Sequence, residues 1–223
     1  MKLLNTIHED YHMHSLNFSD GLNTVDEIVR FAWKIGRTKI AITDHSQKEL
    51  DVDKIAKKNR ACTRERRKNV HNDVQVIFGI EWDLLNGKGD CCFELDGVTS
   101  EFLILSCHEE TYKAHNWDLQ NMTQWYINAI ERYHDKIKFI GHLCKKWTAE
   151  FVDVKRVVEV ANKYHIPLEF NAGYLSRGWT NLEKLEILLT TADEVYINSD
   201  AHLLCELENR QAAFDYLKEK WFI

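Results

Sequence analysis

A single proline stands among the 223 residues, which leaves little rigid loop, and no low-complexity tract, internal repeat or linker marks a domain boundary. One domain spanning residues 1–223 is the expectation. No apolar run approaches the roughly 20 residues that a membrane helix needs. Met1-Lys2-Leu3-Leu4 carries a charge but no apolar core before Glu9 and Asp10 interrupt it, so no signal segment is expected. The six cysteines contain no C-x-x-C pair, and adjacent Cys91 and Cys92 do not have a zinc-knuckle spacing. They read as reduced, mostly packing thiols of a cytoplasmic protein. Excess positive charge is missing too. A net charge of −6 and a pI near 6.0 do not favour tight binding of duplex nucleic acid, although they leave room for a local basic groove. No Gly-x-Ser-x-Gly elbow and no P-loop occurs, so the chemistry is sought elsewhere.

Histidine is what the chain has in quantity, with eleven, unevenly spread. His12 and His14 are two apart, and residues two apart on a strand share a face. Two imidazoles aimed at one point make half of a metal shell, neutral imidazole being the commonest metal ligand. A lone His-x-His is weak by itself. It gains weight only if similar signals recur.

They do recur, each at the end of an apolar run. Residues 3–11 are expected to form a first strand, followed by a loop over 17–23 with the turn signal Asp20-Gly21. Thr24-Val25-Asp26-Glu27 has the form of a capping box for a helix to about Ile35, with Ile28, Phe31, Ala32 and Ile35 as its buried stripe and Gly36 as its stop. A β-branched strand over 39–43 ends in Asp44-His45. Residues 51–70 read as a long polar helix with eight basic residues from Lys54 to Lys68, either a solvated face or a positive rim for an anionic substrate. Strands over 74–80, 102–106, 137–140, 166–170 and 194–198 end in Glu81, Cys107-His108, Gly141-His142, Asn171 and Ser199-Asp200-Ala201-His202. A hairpin-like stretch covers 86–90. Helices are expected over 116–134 (core contacts Trp117, Met122, Trp125, Ile130 and Tyr133), 149–164, 182–189 and 208–220, with 221–223 packing back on the domain. Some seven strands alternating with helices argue for a parallel α/β architecture.

His12, His14, His45, Glu81, His108, His142, Asp200 and His202 thus all lie at or just past the C-terminal ends of expected strands. In a barrel of parallel strands those ends share one face, where such folds place their chemistry. Any one of these histidines is as well explained as a core or surface residue. For all of them, that explanation requires the same coincidence on strand after strand. Cys107 and Cys144 lie near two of them, with burial favoured over a ligand role.

The motifs resemble those of the PHP (polymerase and histidinol phosphatase) domain over nearly the whole chain. Asp10-Tyr11-His12-Met13-His14 is similar to its D-x-H-x-H, followed by Ser19-Asp20-Gly21. Ile42-Thr43-Asp44-His45, Gly79-Ile80-Glu81, the single histidines His108 and His142, and Ser199-Asp200-Ala201-His202 complete the series. The resemblance implies a distorted (β/α)7 barrel, TIM-like, with up to three divalent metals (Zn, Mn or Fe) at the C-terminal ends of its strands. It implies that His12, His14, Glu81 and Asp200 hold one ion, and that Glu81 bridges to a second held by His108 and His142. Asp20, His45 and His202 hold the third, with bridging or orienting open as another role for Asp200. Glu81, Asp200 and His202 are the implied catalytic residues, and a metal-bridging hydroxide is the implied nucleophile. Clustered ions of this kind suit phosphate-ester hydrolysis.

Three functions follow. The first is hydrolysis of a phosphate monoester of a small metabolite, as in histidinol phosphatase. The second is a nuclease or phosphodiesterase acting on DNA ends, as in polymerase-associated PHP domains, and aspartate at the position of Asp20 leans that way. The third, a non-catalytic metal-stabilised module, is disfavoured because every ligand position is filled. For the phosphate, Arg177 in Tyr174-Leu175-Ser176-Arg177-Gly178 is the substrate-binding candidate supported by the resemblance, with Lys145 and Lys146 weaker; a plain surface cation is the alternative for each. The chain is shorter than typical histidinol phosphatases, and Leu143 follows His142 where the family often has proline. Oligomeric state and the identity of the substrate stay open.

Overall fold

The computed structural model describes residues 1–54, 72–115 and 119–221. Its strands are β1 (Lys2–Leu3), β2 (Glu9–Asp10), β3 (Lys39–His45), β4 (Gln75–Leu84), β5 (Cys91–Cys92), β6 (Leu103–Ser106), β7 (Ile137–Ile140), β8 (Leu168–Asn171) and β9 (Glu194–Asn198). They form one sheet in the order β1-β9-β8-β7-β6-β4-β3-β2, with β5 hanging from β4 as its antiparallel partner. Every other pairing is parallel. Leaving out β1 and β5, seven strands curl round as the distorted (β/α)7 barrel that the sequence led us to expect.

Parallel strands covered on both faces need apolar residues throughout. β6 is buried along its whole length, as is β3 beyond its first residue. Helices α1 (Val25–Lys34), α2 (Gln47–Val52), α3 (Glu109–His115), α4 (Met122–Tyr133), α5 (Lys146–Phe151), α6 (Val154–Lys163), α7 (Ala172–Ser176), α8 (Leu182–Thr191) and α9 (Arg210–Trp221) connect and cover the strands, with a 3-10 turn at Leu204–Glu208.

The expected first strand, 3–11, is two short strands, and the break is where the barrel closes. β1 lies on β9 and β2 lies on β3, so the chain crosses from one edge of the sheet to the other between Leu3 and Glu9. Side chains replace the ladder across that gap. Asn5 Nδ2 donates to the carbonyls of Ile197 (2.8 Å) and Glu9 (3.0 Å), while Asn5 Oδ1 accepts from the Ile197 N–H (2.9 Å). Its amide therefore does what a strand's peptide group would do. Buried Arg210 adds bonds to the carbonyls of Ile197, Ile7 and Thr6. Above the gap, Thr43 N–H donates to the Met13 carbonyl (2.8 Å), His14 N–H to Ala201 (2.9 Å) and Asp200 N–H to His12 (2.9 Å). Residues 12–14 are thereby held from both sides. Asn5→Ala leaves the buried Ile197 N–H without its acceptor and removes a donor from the Glu9 and Ile197 carbonyls, of which Ile197 keeps Arg210. A loss of about 2–3 kcal/mol in urea unfolding, at fixed metal, is expected; a change under 0.5 kcal/mol would refute the clasp.

Local signals held where they were strong. The Thr24/Glu27 capping box is formed and Gly36 ends α1 at φ +75°. Val25, Ile28, Val29 and Ala32 are its buried face; Phe31 and Ile35 are only partly covered, so the stripe is rotated from the expected one. The 149–164 helix is two helices, because Asp153 caps α6 by accepting from the Arg156 N–H (3.2 Å). The 116–134 helix begins only at Met122, after the separate α3; Met122, Trp125 and Ile130 are buried and Tyr133 partly so. β4 continues to Leu84, which places Glu81 inside the strand rather than at its end. Trp117, residues 55–71 with most of the basic stretch, and the terminal Phe222-Ile223 lie outside the described residues.

Candidate metal centre

Each strand delivers its polar residue to one spot. β3 and β4 are in register with His45 opposite Glu81, which brings His45 Nδ1 to 3.1 Å from Glu81 Oε2. Glu81 is fully buried and central. Its Oε1 lies 2.7 Å from His142 Nε2 and 3.3 Å from His12 Nε2, and its Oε2 lies 3.4 Å from His108 Nε2 and 3.5 Å from His14 Nε2. Asp200 Oδ1 approaches His14 Nε2 (3.2 Å) and His12 Nε2 (3.6 Å). On the outer side, Asp20 reaches His202 Nε2 (3.2 Å), His45 Nε2 (3.5 Å) and His14 Nδ1 (3.8 Å). The nine residues named from the motifs therefore stand together. Within 4.8 Å, ligand atoms group as His14, Asp20, His45 and His202; as His12, His14 and Glu81; and as His45, Glu81 and His108.

The backbone is bent to achieve this. His142 and Asp200 sit at φ +25° and +51°, a region costly for residues with a Cβ and tolerated where surroundings hold it. Here Glu169 Oε2 takes the His142 N–H (2.8 Å) and the His12 carbonyl takes that of Asp200 (2.9 Å). Gly21 is obligatory for a different reason: a Cβ there would lie 2.3 Å from the His14 carbonyl oxygen, so any other residue would push the Asp20 loop off the site.

Buried atoms are almost always hydrogen-bonded, yet His12 Nε2, His45 Nδ1, Glu81 Oε2 and His108 Nε2 are buried with no partner of bonding geometry. All four face the same cluster. A mixed set of imidazole nitrogens and carboxylate oxygens, the imidazoles becoming donors to metal once they lose their protons, fits divalent ions such as Zn, Fe or Mn, so these residues suit metal.

Charge is balanced by protons in the metal-free site. Burial opposes ionisation of Glu81 and Asp200, but the neighbouring imidazoles outweigh it and hold both carboxyls well below the usual carboxylate range. Burial likewise opposes charge on His12, His45 and His108; Glu169, Asp20 and Glu81 respectively lead the carboxylates that overcome it and hold these imidazoles well above their ordinary value. His14 goes the other way. Burial, with His202 and His45 beside it, pushes it down to about 3.

Several functional residues were not foreseen. Glu169, 1% exposed, accepts from His12 Nδ1 (2.8 Å) and Asn198 Nδ2 (3.0 Å) on Oε1, and from the His142 N–H and Asn171 Nδ2 (3.1 Å) on Oε2. Asp83 accepts from His108 Nδ1 (2.6 Å), with Ser46 Oγ on its other oxygen. Behind it, buried Glu49 takes the Thr111 hydroxyl and completes a further group with Asp83 and His108. Glu169, a carboxylate inside the expected 166–170 strand, was an available signal; Asp83 lies past the expected 74–80 strand, and only the continuation of β4 to Leu84 puts it on the same strand as Glu81. Cys107 and Cys144 are buried thiols that burial holds above the usual range, which suits packing.

The substrate-binding candidates stand at the rim. Tyr174 packs on His142, ring centroids 5.3 Å apart, and Lys145 Nζ lies 5.3 Å over the Tyr174 ring. Arg177 stacks on Trp179 at 5.3 Å and is ion-paired with Glu206. Lys146 is exposed.

Comparison with known proteins agrees with this geometry. A "Probable phosphatase" of Shewanella loihica is 25% identical over 221 residues, covering 94% of this chain and 84% of its own length. The DNA polymerase/3'-5' exonuclease PolX of Bacillus subtilis is 25% identical over 237 residues, 98% of this chain but 38% of that protein. Histidinol phosphate phosphatase of Lactococcus lactis, solved with zinc, L-histidinol and phosphate, shares the fold with a TM-score of 0.57 at 13% identity, over 96% of this chain and 94% of that one. The PHP domain family matches residues 10–172. That match begins two residues ahead of His12 and ends just past β8, so it takes in the centre from His12 to Asn171, and on it the chain belongs to the PHP domain family, as a phosphoesterase.

Proposed function

We propose that this chain hydrolyses a phosphate monoester of a small metabolite, using up to three divalent ions (Zn, Mn or Fe). His12, His14, Glu81 and Asp200 would hold the first, Glu81 with His108 and His142 the second, and Asp20, His45 and His202 the third. The observation that carries this is the convergence at Glu81 of four buried imidazole and carboxylate atoms, none with a hydrogen bond of normal geometry. Ions so clustered lower the pKa of a water, clamp the phosphoryl oxygens and stabilise the leaving oxygen.

The chain's own residues do the rest. Glu169 and Asp83 fix the rings of His12 and His108 through Nδ1, so that each Nε2 points inward. Asn171 Nδ2 holds Asp200 Oδ2 (3.0 Å), leaving Oδ1 turned to the site to steer the attacking water and take its proton. His202, the least buried of the cluster's imidazoles at 26% side-chain exposure, stands at the solvent side of the site, its Nε2 toward Asp20 and its Nδ1 held by the Asp200 carbonyl. Arg177 and Lys145 supply positive charge for the phosphate at the rim.

Hydrolysis by Mn- or Zn-loaded protein tests this, with p-nitrophenyl phosphate, its bis-ester, histidinol phosphate and labelled single-stranded DNA side by side and His12→Ala as control. Monoester turnover lost in the variant is the expected result. Turnover of diester or DNA alone would establish the nuclease alternative, for which the similarity of 98% of this chain to a part, 38%, of PolX is the supporting observation. Metal bound with no turnover would leave a structural module. We also infer that residues 1–223 act as one domain, since β1 pairs with β9 across the whole length. No described helix is long and apolar enough to cross a membrane, and free thiols at 91, 92, 107, 144 and 205 suit the cytoplasm.

Metal loading should displace protons. His12, His45 and His108 are held protonated above their ordinary value in the metal-free protein, and an imidazole must lose its proton to bind an ion. A raised imidazole pKa stabilises the fold fully below about 6.5 and loses that contribution as pH rises through the folded value. Chelated protein should therefore melt at lower temperature as pH climbs from 6.5 to 9, while loaded protein does not. Parallel melting curves for the two across that range would be contrary.

A further inference from the structure

Glu206 is a partly buried carboxylate that the reaction above does not use. It lies in the 3-10 turn Leu204–Glu208, four residues past His202. Its Oε2 accepts the backbone N–H groups of His202 (2.8 Å) and Leu203 (3.1 Å), and its Oε1 accepts from Arg177 Nη2. The pair is largely withdrawn from water, with side chains 22% and 15% exposed. Although burial disfavours its charge, the Arg177 hydrogen bond and the two backbone donors hold Glu206 below the usual carboxylate range. One side chain thus joins the segment after β9, which carries His202, to the segment after α7, which carries Arg177.

Arg177 would otherwise be poorly fixed. Its other contacts are stacking ones, over Trp179 (5.3 Å) and Tyr174 (6.0 Å), and Tyr174 in turn covers His142. A guanidinium presents five donors in a rigid fork. Among the described residues its side-chain hydrogen bond to Glu206 engages Nη2, leaving the rest of the fork for an anion. A long cationic side chain that must be immobilised on binding weakens the interaction; one already held does not.

Resting on the monoesterase reading, we propose that Glu206 is a positioning residue for the substrate phosphate. It locks the Arg177 fork against the His202 segment, so that the phosphate clamp and the outer part of the metal centre keep one spacing.

The test is a double-mutant cycle on Mn-loaded protein with Glu206→Ala, Glu206→Gln, Arg177→Ala and the Glu206→Ala/Arg177→Ala pair. Inorganic phosphate affinity by calorimetry, KM and kcat for p-nitrophenyl phosphate, and metal content are read together. Both Glu206 variants should weaken phosphate affinity and raise KM by about tenfold, consistent with losing a preorganised charged contact. kcat should fall by less than KM rises. Added to Arg177→Ala, the Glu206 change should cost almost nothing further, the mark of one residue acting through the other. Glu206→Gln keeps an acceptor for the His202 and Leu203 amides, so it carries the test if Glu206→Ala fails to fold or to hold metal. Unchanged phosphate affinity in the glutamine variant, or full additivity with Arg177→Ala, overturns the proposal alone. Wild-type protein that neither binds phosphate nor turns over the monoester overturns it together with the monoesterase reading.

Discussion

Glu81→Gln lowers phosphomonoester turnover by about a thousandfold or more, the scale of losing a central member of a catalytic unit. Five imidazoles surround this one carboxylate, those of His12, His14, His45, His108 and His142, all within 3.5 Å. Glutamine preserves volume, so packing around a fully buried position is kept, but it removes the negative charge and points an N–H₂ group at ring nitrogens. In the metal-free protein His12, His45 and His108 lose a counter-charge and their pKa values fall. In the loaded protein the one ligand proposed to bridge two ions is gone. Metal analysis should show at least one equivalent lost, with circular dichroism unchanged. Wild-type metal content together with wild-type turnover would remove Glu81 from the centre.

Glu169→Ala is the second large effect, and it acts without touching a metal. Four donors converge on this carboxylate: the His12 ring, the His142 N–H, Asn198 and Asn171. Removing it frees the His12 ring to rotate and releases the strained backbone of His142. Metal affinity should drop about 10- to 100-fold, as it does when the partner behind a ligating histidine is lost. Stability should fall by about 3–5 kcal/mol, the cost of leaving buried polar and charged groups without their partner. Glu169→Gln, which keeps two acceptor or donor positions of the same size, should recover part of the stability but less of the affinity. Competition with a metal indicator and urea unfolding read the two effects separately. Full metal affinity in the alanine variant would show that His12 is oriented by something else.

Much of the centre was readable in advance because its ligands are placed by short-range rules. His12 and His14, two apart in extended chain just past β2, share a side, and His45, His108, His142 and His202 stand at or just past the C-terminal ends of parallel strands, where chain direction puts them on one rim. The capping box at Thr24 and the stop at Gly36 are equally local. Both are decided within a single turn of helix.

Tertiary structure decided what depends on partners distant in the chain. Glu169 lies within the expected 166–170 strand and Asp83 past the end of the expected 74–80 strand, with nothing local to mark either as the partner of a histidine. Only register across the sheet shows Glu169 against His12, 157 residues away, and Asp83 against His108. The break in the first strand is of the same kind, since residues 3–11 look extended throughout and the switch between sheet edges exists only once β9 and β3 are in place. Asn5 becomes a structural clasp for that reason. Spacing along the chain therefore determined which residues face the site, whereas the pairing of buried charges, which needs complementary groups brought together at low dielectric, was settled by the closing of the barrel.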